Sequence, residues 1–153
     1  MLWKVSVVAA VASLVLLELW PGHASYALRG PGVIRITDRE IAFTRVDIGR
    51  PGLSPGDVEV TRRLLFNKRI RRQAIGRSEI VCTIVGGNVR QCDGTYVLPA
   101  GKIVGAGEMR YRQFFQLAVI GGTGLYNNVR GTLTVTSLGR RPRRDLVFFR
   151  LVV

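Results

Sequence analysis

From Val33 onward, apolar and polar residues alternate with a period of two, and Gly, Pro, Asn or Asp recurs about every ten positions. A strand turns successive side chains to opposite faces, so the pattern predicts half-buried strands joined by tight turns. The segments that qualify are Val33–Thr37, Glu40–Asp47, Val58–Phe66, Glu79–Val85, Val89–Leu98, Lys102–Met109, Phe114–Ile120, Thr132–Leu138 and Leu146–Val152. No stretch carries an amphipathic helix of three turns, and the residues between Gly124 and Gly131 leave room only for a turn or a single helical coil. No repeat or linker divides the chain. The prediction is an all-β fold, a closed antiparallel eight-stranded β-barrel, with one segment left over as an N-terminal extension or a piece of a broken strand. Closure removes the unpaired edges on which sheets aggregate. Ile41, Phe43, Leu64, Phe66, Tyr96, Leu98, Leu117, Val119, Leu133, Val135, Phe148 and Arg150 fall on alternating positions, and either face could line the interior.

The first residues follow a different rule. Lys4 precedes an apolar run from Val5 to Leu17, and Ala24-Ser25-Tyr26-Ala27 offers the small residues a signal peptidase needs. A membrane span needs about 20 apolar residues, and Glu18, Pro21 and Gly22 interrupt this run earlier. Residues 1–27 are therefore expected to be a signal peptide, residues 28–153 the exported domain, and the destination secreted; an uncleaved anchor is the alternative. Cleavage would remove His23, the sole histidine, together with Trp3 and Trp20.

A domain without histidine excludes Ser-His-Asp and Cys-His nucleophiles, zincins and His-ligated iron. Two cysteines are too few for a closed zinc site, so no metal is expected. The chain carries 23 Lys+Arg against 10 Asp+Glu, a net charge of +13. Such a field draws anions. In an exported protein it points to contact with an acidic surface rather than to nucleic acid.

Cys82 and Cys92 flank Gly86-Gly87-Asn88. Pairing Val85 with Val89 across a three-residue turn brings the two cysteines directly opposite, within the Cα separation a disulfide spans. An exported domain favours the bond. Two free buried thiols, one of them lining a ligand site, are the alternative.

Leu117–Tyr126 runs a strand into Gly121, Gly122 and Gly124, but no third glycine and no following helix complete a dinucleotide-binding fingerprint. The glycines read instead as a tight barrel corner, with Arg130 and Gly131 beyond it and Arg130 expected to brace the turn, contact with a ligand being the alternative. The run LAVIGGTGLYNNVRGTLTV (117–135), preceded by GTYVLPAGKIVGAG (94–107) and GRPGLSPGDVEVTRRLLFN (49–67), resembles the allene oxide cyclase-like and dirigent-like barrel superfamily, in particular small secreted bacterial members. The resemblance covers about residues 46–153 and implies an eight-stranded barrel, a largely apolar cavity, no cofactor, and a homo-oligomer, trimer or dimer. It also implies a small apolar, phenolic or oxylipin-like ligand, held so that it reacts with one stereochemistry. Plant cyclases carry a glutamate in the first barrel strand; here Phe43 falls where it would stand.

Three functions follow as expectations. The first is a barrel that binds an apolar or amphipathic ligand and directs its stereochemistry, with Phe66, Cys82, Tyr96, Leu117 and Val119 around the cavity. The same side chains could instead fill a solid core. The second is a cofactor-free isomerase or cyclase with a buried acid, for which Asp47, Glu79 and Glu108 are the candidates; Asp57 reads as a turn residue. The third is a cationic, envelope-associated structural module without catalysis.

Overall fold

The computed structural model describes residues 32–67, 73–110, 113–140 and 143–152; the expected signal peptide lies outside them. The eight strands are β1 (Gly32–Val46), β2 (Val58–Asn67), β3 (Ala74–Gly86), β4 (Val89–Leu98), β5 (Gly101–Arg110), β6 (Phe114–Gly122), β7 (Arg130–Arg140) and β8 (Arg143–Val152). Each pairs antiparallel with the next, and β1 pairs with β8, so the sheet closes into a barrel in sequence order. A 3₁₀ turn at Gly124–Tyr126 is the one helical piece among the described residues.

The two segments expected at the N-terminal side, Val33–Thr37 and Glu40–Asp47, are one strand. A bulge between Glu40 and Ala42 shifts the register of β1 against β2. An extra residue in one strand reverses which face its later side chains take, so the two halves read as separate segments in a period-two pattern. The β3–β4 hairpin holds a second correction. Gly86, not Val85, pairs with Val89, and the bulge at Val85 leaves a two-residue turn, Gly87-Asn88. The bulge restores Ile84↔Arg90, Thr83↔Gln91 and Cys82↔Cys92, so the disulfide forms between directly opposed residues with Cα atoms 4.0 Å apart.

The barrel is solid at one end. Leu65, Tyr96, Leu98, Ile103, Val119, Val129, Leu133, Phe149 and Leu151 form an apolar plug there, and the Tyr96 and Phe149 rings meet edge to face at 5.1 Å. Arg130 sits beside this plug and its Nη1 donates to the Val129 carbonyl at 3.0 Å. Gly131 has φ +141°, and a Cβ there would fall 2.0 Å from the Arg150 carbonyl oxygen, so only glycine lets β7 approach β8 this closely. Gly105, on the inner face of β5, leaves the space that Leu133 fills.

Candidate functional site

At the other end, where the β1–β2 and β3–β4 connections lie, the interior changes character. Ile34 and Ile36 continue inward as Asp38, Leu65 as Arg63 and Glu59, and Val147 as Asp145, because the inward phase of β1, β2 and β8 carries charges past the apolar plug. Asp38, Asp145, Glu59, Arg63 and Arg90 are all buried. They form two clusters. In the first, Arg63 Nη1 donates to both Asp38 oxygens at 2.9 Å and also bonds Asp145, while its Nη2 lies 3.7 Å from Glu40. The backbone N–H of Asp145 donates to Asp38 Oδ1 at 3.1 Å, and Arg143 Nε stands 3.9 Å from Asp145. In the second, Glu59 accepts from Arg45 at 2.5 Å and from the fully buried Arg90 at 2.7 Å.

Charges taken out of water cost several kcal/mol each unless paired and hydrogen-bonded. The two clusters meet that condition by balancing four carboxylates, Asp38, Glu40, Glu59 and Asp145, against four guanidinium groups, Arg45, Arg63, Arg90 and Arg143. Within the first cluster two buried atoms stay unpartnered, the donor Arg63 Nε and the acceptor Asp145 Oδ1.

Above this floor lies a cavity of about 30 Å³, enough for about two waters. It has two unlike sides. Strands β8, β1 and β2 present Arg143, Asp38, Glu59, Thr61 and Arg63; strands β3 to β7 present Ile80, Tyr96, Met109, Phe115, Leu117, Val135 and the Cys82–Cys92 bridge. Among the described residues Phe43, half exposed, stands at its mouth.

The clusters set the protonation states. Burial pushes the Asp38 carboxyl up to about 6, an effect that the Arg63 charge opposes and the Asp145 charge reinforces. The Arg63 guanidinium suffers the same desolvation, but Asp38 and Asp145 together hold it charged. Burial, helped by the Asp38 carboxylate, raises the Tyr96 phenol and keeps it protonated. A carboxyl whose folded value lies above its unfolded one favours folding only while it is protonated. Its contribution is therefore present below about pH 4 and is lost as pH rises through about 6. We expect this group to make the chain more stable at pH 5 than at pH 7.5 by about 1 kcal/mol, and Asp38→Asn to remove the difference. Thermal melts of both proteins across that range measure it; identical slopes would assign the effect elsewhere.

Comparison with solved structures places this architecture among known barrels. The chain matches a pyocyanin demethylase at 22% sequence identity with a TM-score of 0.69, over 79% of this chain and 100% of that one. It matches a pterocarpan synthase dirigent protein at 10% identity, TM-score 0.63, over 79% and 82%. It matches an exo-specific intermolecular Diels–Alderase at 11% identity, TM-score 0.63, over 78% and 98%. The chain has the barrel fold of the dirigent proteins and the cyclases. No protein-family model and no curated protein matches it.

Within this dirigent-like barrel the residues singled out from the sequence lie in different places. Cys82, Tyr96 and Leu117 line the cavity; Val119 belongs to the plug, and Phe66 lies in a groove on the outer wall. The three acids named as candidates are exposed and away from the cavity. Glu79 pairs with Arg62 at 3.1 Å, Glu108 with Arg110 at 2.9 Å, and Asp47 accepts from the Gly52 N–H. Asp57 is buried beneath the β1–β2 connection, where the N–H groups of Ile48 and Ser54 donate to it and hold its carboxyl below the usual range. Gly122 and Gly124 pack against backbone carbonyls at the closed end, and Gly121 lies 3.7 Å, as a Cβ would measure, from Arg130 Nη1.

The acids that do face the cavity, Asp38 and Glu59, were missed, as was Asp145 behind them. One signal was available. Asp38 and Asp145 stand two residues from the inward Ile36 and Val147, and Glu59 six from Leu65, so each extends an inward-facing row. Among the described residues no group of His, Cys, Asp or Glu is arranged to hold a metal.

Proposed function

We propose that the chain binds a small apolar or amphipathic molecule in the open half of the barrel and fixes its orientation for a stereochemically directed reaction. The observation that carries this reading is the two-sided cavity. Its apolar wall takes the hydrocarbon part of a guest, while Asp38, Glu59, Thr61 and Arg63 opposite supply a small number of fixed polar groups. A guest held between unlike walls has one favourable orientation, which is what directing a reaction requires. The resting volume is too small for it, so entry displaces water and moves side chains at the mouth, Phe43 and Met109 foremost.

The probe is 2-naphthol, an apolar bicycle with one hydroxyl. We expect its emission to shift to the blue on binding and Thr61→Trp, which fills the cavity mouth, to weaken binding at least tenfold at unchanged melting temperature. Absence of binding to the native protein, or binding indifferent to Thr61→Trp, would sink the proposal.

A second reading is cofactor-free proton transfer, as in an isomerase or cyclase. It is supported by the Asp38 carboxyl, which faces the cavity and carries a proton close to neutrality. The Asp38 titration described above tests it too, because a carboxyl ionised throughout the range from pH 5 to 7.5 has no proton to give.

Export and self-association complete the proposal. The disulfide fits an oxidising compartment. Between the arginines that end β7, Arg130 and Arg140, the outward positions of β6 and β7, Phe114, Gln116, Ala118 and Ile120 with Thr132, Thr134, Thr136 and Leu138, hold no charge. In a chain of net charge +13 this is the face on which two copies meet with least repulsion. Sedimentation measures the mass, and a monomer at every concentration removes the oligomer.

A further inference from the structure

The outer wall on the other side of Asp38 carries a second feature. Arg39 of β1 and Arg144 of β8 are directly opposed in register. Like charges so placed repel, and a carboxylate between them would relieve it. Nearly every described acid is committed elsewhere. Asp38, Glu40 and Asp145 surround Arg63; Glu59 joins Arg45 and Arg90; Glu79 and Glu108 pair with Arg62 and Arg110. Asp47 and Asp57 accept backbone N–H groups. Asp93 stands on β4, across the barrel from β8.

The two arginines border a groove of about 230 Å³ whose remaining walls are Thr37, Phe66 and Leu138, with Asp38 behind. Phe66 occupies an outward strand position yet is only 9% exposed, because the Arg39 guanidinium lies over its ring at 5.4 Å. Stacking fixes the plane of the fork while leaving N–H donors free at its edge. Leu138, 58% exposed, supplies a further apolar surface. The groove thus offers two guanidinium groups set between an aromatic and an aliphatic side chain, and the one acid that borders it, Asp38, has both carboxylate oxygens bonded to Arg63. Its volume is below the roughly 300–1,000 Å³ of drug-sized sites, which suits a guest of one or two rings.

We propose that this groove is a binding site for a small aromatic carboxylate, its carboxylate shared by Arg39 and Arg144 and its ring packed on Phe66 and Leu138. None of these four side chains lines the interior cavity; Asp38 alone borders both spaces and stands between them.

Calorimetric titration of the full chain with 2-naphthoate, in about 0.15 M salt so that the long-range field of the protein is screened, tests it. The expected result is binding that Arg39→Gln and Arg144→Gln each weaken about tenfold, the loss of one charge-assisted pair. Thr61→Trp leaves it unchanged. Arg35→Gln, a neighbouring outward arginine of β1 that lies over Phe148, changes it less than twofold. Circular dichroism verifies that each variant is folded. Three results overturn the site: no binding at all, equal weakening by Arg35→Gln, which would mean attraction to positive charge in general, or loss on Thr61→Trp with indifference to Arg39→Gln, which would move the anion indoors. Binding of 2-naphthol inside the barrel is read separately, so either proposal can fail without the other.

Discussion

Replacing Arg63 with Met destabilises the folded chain by about 3–5 kcal/mol at pH 7, the range seen when one member of a buried ion cluster is removed. The side chain is 7% exposed and serves Asp38, Asp145 and Glu40 together. Without it two carboxylates with 1% exposure each face one another in the barrel with no guanidinium between them. Folding then forces them to take up protons. The Asp38 value, already raised by burial, moves further up once the Arg63 charge that opposed the rise is gone, so the lost stability returns as pH falls from 7 toward 4. The double replacement Arg63→Met with Asp38→Asn, which removes one of the stranded charges, recovers part of the loss at pH 7. Urea unfolding at pH 7 and pH 5 checks both statements, and an Arg63→Met protein as stable as the native one at pH 7 would show that the cluster does not hold the barrel wall together.

The second large effect concerns the disulfide. Cys82→Ser with Cys92→Ser costs about 3 kcal/mol and lowers the melting temperature by about 10 °C, since a closed loop of ten residues restricts the unfolded chain by that much. The bridge also forms part of the apolar cavity wall, between Ile80 and Tyr96. Serine hydroxyls there replace sulfur with polar groups, so 2-naphthol binding weakens several-fold in the same variant. Melting with and without reductant separates the two consequences. Reduction of the native protein reproduces the stability loss without placing hydroxyls in the wall.

The bulges explain which parts of the architecture were legible in the amino-acid order. Period-two alternation located every strand of the barrel, because inward and outward side chains differ in polarity along most of each strand. It divided β1 at Asp38-Arg39, just ahead of the bulge between Glu40 and Ala42 that reverses the phase of the strand, and a second bulge, at Val85, made the hairpin turn read one residue too wide. The cysteine pairing survived because the bulge lies outside the paired stretch from Ile84 to Arg77. The candidate acids show the opposite case. Glu79 and Glu108 are acids on strands and looked equivalent to Glu59, yet the first two face water beside Arg62 and Arg110 while Glu59 faces inward between two arginines.

Composition and alternation by themselves determined a closed all-β barrel, the partnership of Cys82 with Cys92, the glycine corner at 121–131 and a surplus of positive charge. These depend on residue type and on spacing along one strand or one hairpin. Only the closed barrel decided that Asp38, Arg63 and Asp145, 25 and 82 positions apart in pairs, share one buried cluster, and that Arg39 meets Arg144 on the wall outside it. The reason is physical: β1 meets β8 only when the sheet curls through a full turn, and the match between first and last strands is set by the accumulated tilt and bulges of all eight.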